Sequence, residues 1–83
     1  MQVTVKLYAT LGKYLPPGAE RNVVKMDVAE GITAQQLIEQ LNLPADLTHL
    51  VLINGSYVEP QARGARVLTG GDEFAVFPPI AGG

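Results

Sequence analysis

The chain has 83 residues, of which 47% are hydrophobic and 17% charged, with six basic against eight acidic side chains and a formal net charge of −2. That length excludes two separate cores, and that apolar content excludes a disordered chain. The acidic balance leaves no broad basic field to gather phosphates, so nucleic acid is not an expected partner, and zero cysteines remove disulfides, thiolate metal sites and a cysteine nucleophile together.

Val3, Val5 and Leu7 alternate with Thr4, Lys6 and Tyr8, which predicts a half-buried strand over about Gln2 to Ala9. The same alternation, with no basic leader and no continuous apolar run, makes Met1 to Leu11 a strand and not a signal peptide. The longest apolar stretches, Leu50 to Ile53 and Phe74 to Phe77, fall far short of the ~20 residues of a membrane span. The cytoplasm is the expected location, with no membrane partner. Pro16, Pro17 and Gly18 set a loop in which the chain reverses, and Asn22 to Val28 reads as an antiparallel partner strand through Val24, Met26 and Val28.

Thr33 with Gln36 forms the Thr-x-x-Gln pattern of a capping box, so a helix begins there. Leu37, Ile38 and Leu41 share one face, Gln35, Gln36, Glu39 and Gln40 are assigned to water, and Asn42 with Pro44 ends the run. Leu50 to Ile53 suits a buried strand, and Asn54-Gly55 supplies the positive-φ residues of a tight hairpin into Tyr57-Val58. Pro60 and Gly64 bound an irregular section, Gly70-Gly71 makes a further turn, and Glu73 to Phe77 alternates as a last strand before Pro78-Pro79. The order predicts an α+β domain, a mixed sheet of four to five strands packed on one main helix; if the first and last strands sit side by side in parallel at its centre, a right-handed crossover puts the helix on one face only. Residues 1–77 are expected to form the domain and residues 78–83 a flexible tail.

The chemistry-bearing residues are few. His49, the one histidine, stands three residues from Asp46, but a lone histidine in a loop before a buried strand reads as structural and not as half of an acid/base couple. Asp72-Glu73 opens a strand with side chains on opposite faces, a poor chelate and a solvated turn. Gly70-Gly71 lacks the following helix that a phosphate loop needs. No metal site and no bound cofactor are expected. Once Val3, Val5, Leu7, Phe74 and Val76 face the helix, Tyr8 and Phe77 point to the open face of the sheet, where Tyr57 can join them. Cross-strand packing and a docking patch stand as equal readings of these aromatics, with Arg63 and Arg66 as a charged rim or as solvated loop residues.

The ending Pro78-Pro79-Ile80-Ala81-Gly82-Gly83 is the most specific signal. Two adjacent glycines at a given terminus arise by chance in roughly 0.5% of chains, glycine being ~7% of usage. Such a terminus carries a carboxylate with no Cβ beside it and can thread a narrow tunnel, and six extended residues reach at most about 20 Å. The stretch Gly71 to Gly83, Gly-Asp-Glu-Phe-Ala-Val-Phe-Pro-Pro-Ile-Ala-Gly-Gly, resembles the end of molybdopterin-synthase small subunits, the MoaD/ThiS-like sulfur carriers. The opening strand, the Thr33 helix and Val51-Leu52-Ile53-Asn54-Gly55 fall where that family has equivalents, so the resemblance covers nearly the whole chain.

The resemblance implies a ubiquitin-like β-grasp fold and a carrier that is not an enzyme by itself. It further implies that an E1-like adenylating enzyme uses ATP to activate the Gly83 carboxylate and that a persulfide donor converts it to a thiocarboxylate. A molybdopterin synthase large subunit then receives the sulfur. Gly82, Ala81 and Ile80 would line the tail, and Tyr8, Tyr57 and Phe77 would bind partners. Three alternatives stand beside this: a ubiquitin-like modifier conjugated through Gly83, a carrier for thiamine or another pathway, and a non-covalent interaction domain.

Overall fold

The computed structural model describes residues 1–79. Among the described residues five strands and one α-helix appear in chain order: β1 (Gln2–Leu7), β2 (Val23–Asp27), α1 (Ala34–Gln40), β3 (Leu50–Ile53), β4 (Ser56–Tyr57) and β5 (Glu73–Phe77). They form one mixed sheet in the order β2-β1-β5-β3-β4, with β1 and β5 parallel at its centre and the other neighbours antiparallel. This is the α+β arrangement expected from the pattern and the β-grasp fold that the resemblance implies. One face of the sheet carries Val3, Val5, Leu7, Val51, Ile53, Phe74 and Val76, none more than 1% exposed, and Ala34, Leu37, Ile38 and Leu41 of the helix region complete the same core.

The capping box forms as read: Thr33 Oγ1 accepts from the Gln36 amide at 3.1 Å and Gln36 Oε1 accepts from the Thr33 amide at 3.0 Å. Two further amides at that helix start donate to loop carbonyls, Ala34 to Arg66 at 2.8 Å and Gln35 to Arg63 at 3.0 Å. The open donors of the first turn are thus satisfied by chain that crosses beneath it.

Three strand boundaries and one side-chain exposure differ from the sequence expectation. β1 ends at Leu7 because Ala9 takes φ 52° and starts a 3-10 helix, Ala9–Tyr14, that buries Leu11 completely inside what reads as loop. β2 starts at Val23, since Arg21 (φ 50°) and Asn22 (φ 67°) form a left-handed turn closed by paired Glu20–Val23 backbone hydrogen bonds. Val28 lies past that strand yet stays paired, its amide donating to Met1. Gln35, assigned to water, is half-buried. The Asn54-Gly55 reversal is as expected, with φ 52° and 82°.

Candidate functional site

The outer face of the sheet follows from strand register. Tyr8, Phe77 and Leu50 make one transverse row, Lys6, Ala75, Leu52 and Tyr57 the next, and Thr4 and Glu73 a third. The first row together with Ala75, Leu52 and Tyr57 of the second forms an apolar corner at the end where β5 leaves the sheet, while Lys6 at the β1 side of the second row, Glu73, Thr4 and, on β2, Lys25 make the remainder polar. Pro78 and Pro79 therefore continue directly from the apolar corner.

Within that corner Tyr8 and Phe77 stack on each other, with ring centroids 4.1 Å apart and planes 4° from parallel. The Tyr8 amide donates to the Val76 carbonyl at 3.1 Å, which extends the β1–β5 ladder by one residue and brings the rings level. Both rings are half-buried, whereas Tyr57 is 53% exposed. The sequence-predicted aromatics thus lie on one face, two of them as a cross-strand pair and the third across Leu52 and Ala75 from them.

Leu50 and Leu52 escaped the sequence reading, which took Leu50 to Ile53 as wholly buried. They alternate with buried Val51 and Ile53 and sit half-buried on the outer face. Counting back in twos from the Asn54-Gly55 turn, with Leu52 opposite Tyr57, is the signal that would have found them.

Arg63 is not a rim residue. It is 6% exposed, and its guanidinium donates to the carbonyls of Thr48 (3.0 Å), His49 (3.3 Å) and Val58 (3.4 Å). Burial lowers its pKa from the ordinary arginine value, with Tyr57 acting in the opposite sense. His49 is exposed and enters this network through its carbonyl, and Arg66 supplies a carbonyl to the helix start.

Asp72 is not a solvated turn residue either. It is buried, and its carboxylate accepts from the Thr69 amide and from Asn54 Nδ2, each at 2.8 Å, while Asn54 Oδ1 accepts from the Glu73 amide at 2.9 Å. Burial alone would raise the Asp72 pKa, but the hydrogen bonds from Thr69 and Asn54 and the charge of Arg66 outweigh it and hold it below the ordinary carboxylate value. Gly70-Gly71 is the expected turn, with Gly71 at φ 88° and its amide donating to the Gln2 carbonyl. Across the described residues no three histidine, aspartate or glutamate side chains gather to hold a metal ion. Ile80, Ala81, Gly82 and Gly83 lie outside the described residues.

A small β-grasp sheet with an apolar outer corner feeding a Pro-Pro exit narrows the comparison with known proteins, and a family model described as the ThiS family matches residues 7–83. The chain belongs to the ThiS family. Members of that family are small carrier proteins, and the matched span runs from the end of β1 through the outer corner to Gly83. Among solved structures this ThiS-family chain is similar to SAMP1 from Haloferax volcanii, at 26% identity and a TM-score of 0.68 with both chains covered in full. It is similar to the thiamine biosynthesis protein ThiS from Geobacter metallireducens, at 22% identity and a TM-score of 0.68, again with both chains covered in full. A chain in the complex of subunits 1 and 2 of the molybdopterin-converting factor from Helicobacter pylori matches at 16% identity and a TM-score of 0.60 over the full length of both. The last two likenesses speak to the fold. No curated protein matches the chain. No described helix is long and apolar enough to cross a membrane.

Proposed function

We propose that this ThiS-family protein is a cytoplasmic sulfur carrier that acts through Gly83 and supplies sulfur for molybdopterin as the small subunit of a molybdopterin synthase. A carboxylate becomes an acyl donor only when its oxygen is made a leaving group. An E1-like adenylating enzyme supplies that step: a Gly83 carboxylate oxygen attacks the α-phosphate of ATP and pyrophosphate departs. A persulfide sulfur of the donor then attacks the acyl carbon and displaces AMP. A second thiol cleaves the resulting acyl disulfide, leaving the thiocarboxylate on Gly83 and a disulfide on the donor. The chain itself holds no cofactor in this scheme, ATP being the partner's substrate.

The observation that carries this reading is the continuity of the apolar outer corner with the Pro78-Pro79 exit, within a family match that extends to Gly83. Tyr8, Phe77, Leu50, Leu52 and Tyr57 would dock the partner while Ile80, Ala81 and Gly82 thread its tunnel. Incubation with the adenylating enzyme, ATP and a persulfide donor should exchange one oxygen of the intact protein for sulfur in its mass spectrum. Deletion of Gly82 and Gly83 should abolish the exchange and leave the melting curve unchanged. A truncated protein that still restores molybdopterin synthesis in a null strain would rule the scheme out.

The likeness to SAMP1, over both full chains, favours a second reading in which Gly83 is joined to lysines of target proteins as by a small modifier. Branched peptides carrying Gly83 on other proteins, in place of the oxygen-for-sulfur exchange, would favour it. The ThiS likeness leaves thiamine as a third destination for the same thiocarboxylate.

A further inference from the structure

β4 is two residues long and lies at the edge of the sheet, held to β3 by the Leu52–Tyr57 and Ile53–Ser56 pairs. So short a ladder is marginal by itself, and Tyr57, 53% exposed, gains little from its own burial. Something else fixes where this side chain stands. At the tip of the hairpin Asn54 is tied to Asp72 and to the Glu73 amide. At its feet stands Arg63: Thr48 and His49 directly precede β3, Val58 directly follows β4, and the carbonyls of all three converge on the one buried guanidinium. The Arg63 carbonyl in turn accepts from the Gln35 amide in the first turn of α1, so the clamp is anchored to the helix.

We infer that Arg63 is a positioning residue for docking: its planar fork closes the feet of the β3–β4 hairpin and so holds Leu50, Leu52 and Tyr57 in their bound arrangement before any partner arrives. The inference rests on the docking reading of the outer face. A preformed surface spares the complex the entropy of ordering that hairpin on binding. An arginine suits the task because its donors lie in fixed directions in one plane, and a lysine ammonium cannot span the same acceptors.

The test measures ATP-dependent activation of the full-length protein by its adenylating enzyme, with carrier concentration varied, for Arg63→Met and Arg63→Lys. The temperature is set below the melting transition of each. The KM for the carrier should rise roughly two- to tenfold, the cost of ordering about one side chain on binding, with kcat unchanged. Amide exchange at Val58, whose N–H donates to the Val51 carbonyl at 2.9 Å, should accelerate while Val5 and Val76 stay protected. Arg63→Lys should lie between Arg63→Met and the parent on both readouts. Folded variants with an unchanged KM overturn the inference, and so does failure of both variants to fold, which would make Arg63 a folding residue. Tyr57→Glu separates the two levels: an unchanged KM there overturns the docking reading, whereas a raised KM there with normal values for both Arg63 variants overturns the clamp alone.

Discussion

Phe74 and Phe77 stand three residues apart on one strand and face opposite sides of the sheet. Phe74 is fully buried among Val5, Leu7, Ile53 and their neighbours in the core, whereas Phe77 is half-buried and stacks on Tyr8 at the outer corner. Both belong to β5 and to the same backbone ladder, so the difference lies in what each ring touches. The inner face is committed to stability, and the outer corner keeps apolar surface in reach of a second molecule. Mutations on the two faces should therefore separate into those that unfold the protein and those that leave it folded but unrecognised.

The sharpest separation comes from truncating the two rings. Phe74→Ala should cost ~3–5 kcal/mol, a large share of the stability of a domain this size, and give a much lower or absent thermal transition. Phe77→Ala should cost about 1–3 kcal/mol, the lost stack plus roughly half a ring's burial, and leave a cooperative melt, while raising the KM for the activating enzyme. Equal destabilisation by the two would erase the distinction between the faces.

Next in size is the Asp72 bracket, which ties the hairpin tip to the start of β5. Asp72→Asn puts an amide against the Asn54 amide and should cost about 1–3 kcal/mol, with the melting midpoint falling by roughly 4–8 °C per kcal/mol. The Asp72 pKa is lowered in the folded protein, so its contribution is fully present above the unfolded value of ~3.9 and is lost as pH falls through the folded value. The parent should lose stability on acidification below about pH 4, and Asp72→Asn should lose less over the same interval. A parent and variant that run parallel through that range would show that the bracket carries no charge-dependent stability.

The placement of both phenylalanines was legible in the sequence, because alternation through Val3, Val5, Leu7, Phe74 and Val76 defines the buried side and leaves Tyr8 and Phe77 on the other. The capping box and the Asn54-Gly55 hairpin were equally plain, each being fixed by residues within four positions of one another. Arg63 and Asp72 were not. Beside the local Val58 and Thr69, their partners, Thr48 and His49 for one and Asn54 for the other, lie 14 to 18 residues away, and a charged residue in a Gly-rich loop carries no local mark that it will turn inward. The outward-facing Leu50 and Leu52 were hidden for another reason: in a run of four apolar residues alternation is invisible, and only the ladder opposite Phe77 and Ala75 sets the faces. The 3-10 helix Ala9–Tyr14 depends on the left-handed Ala9, a conformation that residue type does not advertise.

The smallest effect is expected at the polar end of the outer face, where Lys6 Nζ lies 3.0 Å from Glu73 Oε1. The hydrogen bond to Glu73 raises the Lys6 pKa, partly offset by desolvation and supported by the charges of Glu73 and Tyr8. Its contribution is thus present below the unfolded value of ~10.4 and disappears as pH rises through the folded value. An exposed pair of this kind is screened and gains little, so Lys6→Ala and Glu73→Ala should leave the melting midpoint at neutral pH within replicate scatter. Whatever difference remains should vanish at about 1 M salt, where the Debye length is near 3 Å. Because Lys6 stands one row and Glu73 two rows from the Tyr8–Phe77 stack, these variants also measure how far a docking footprint extends along the face. A normal KM for both confines recognition to the apolar corner, whereas a raised KM with an unshifted midpoint extends it over the whole outer sheet without touching the contrast in stability between Phe74 and Phe77.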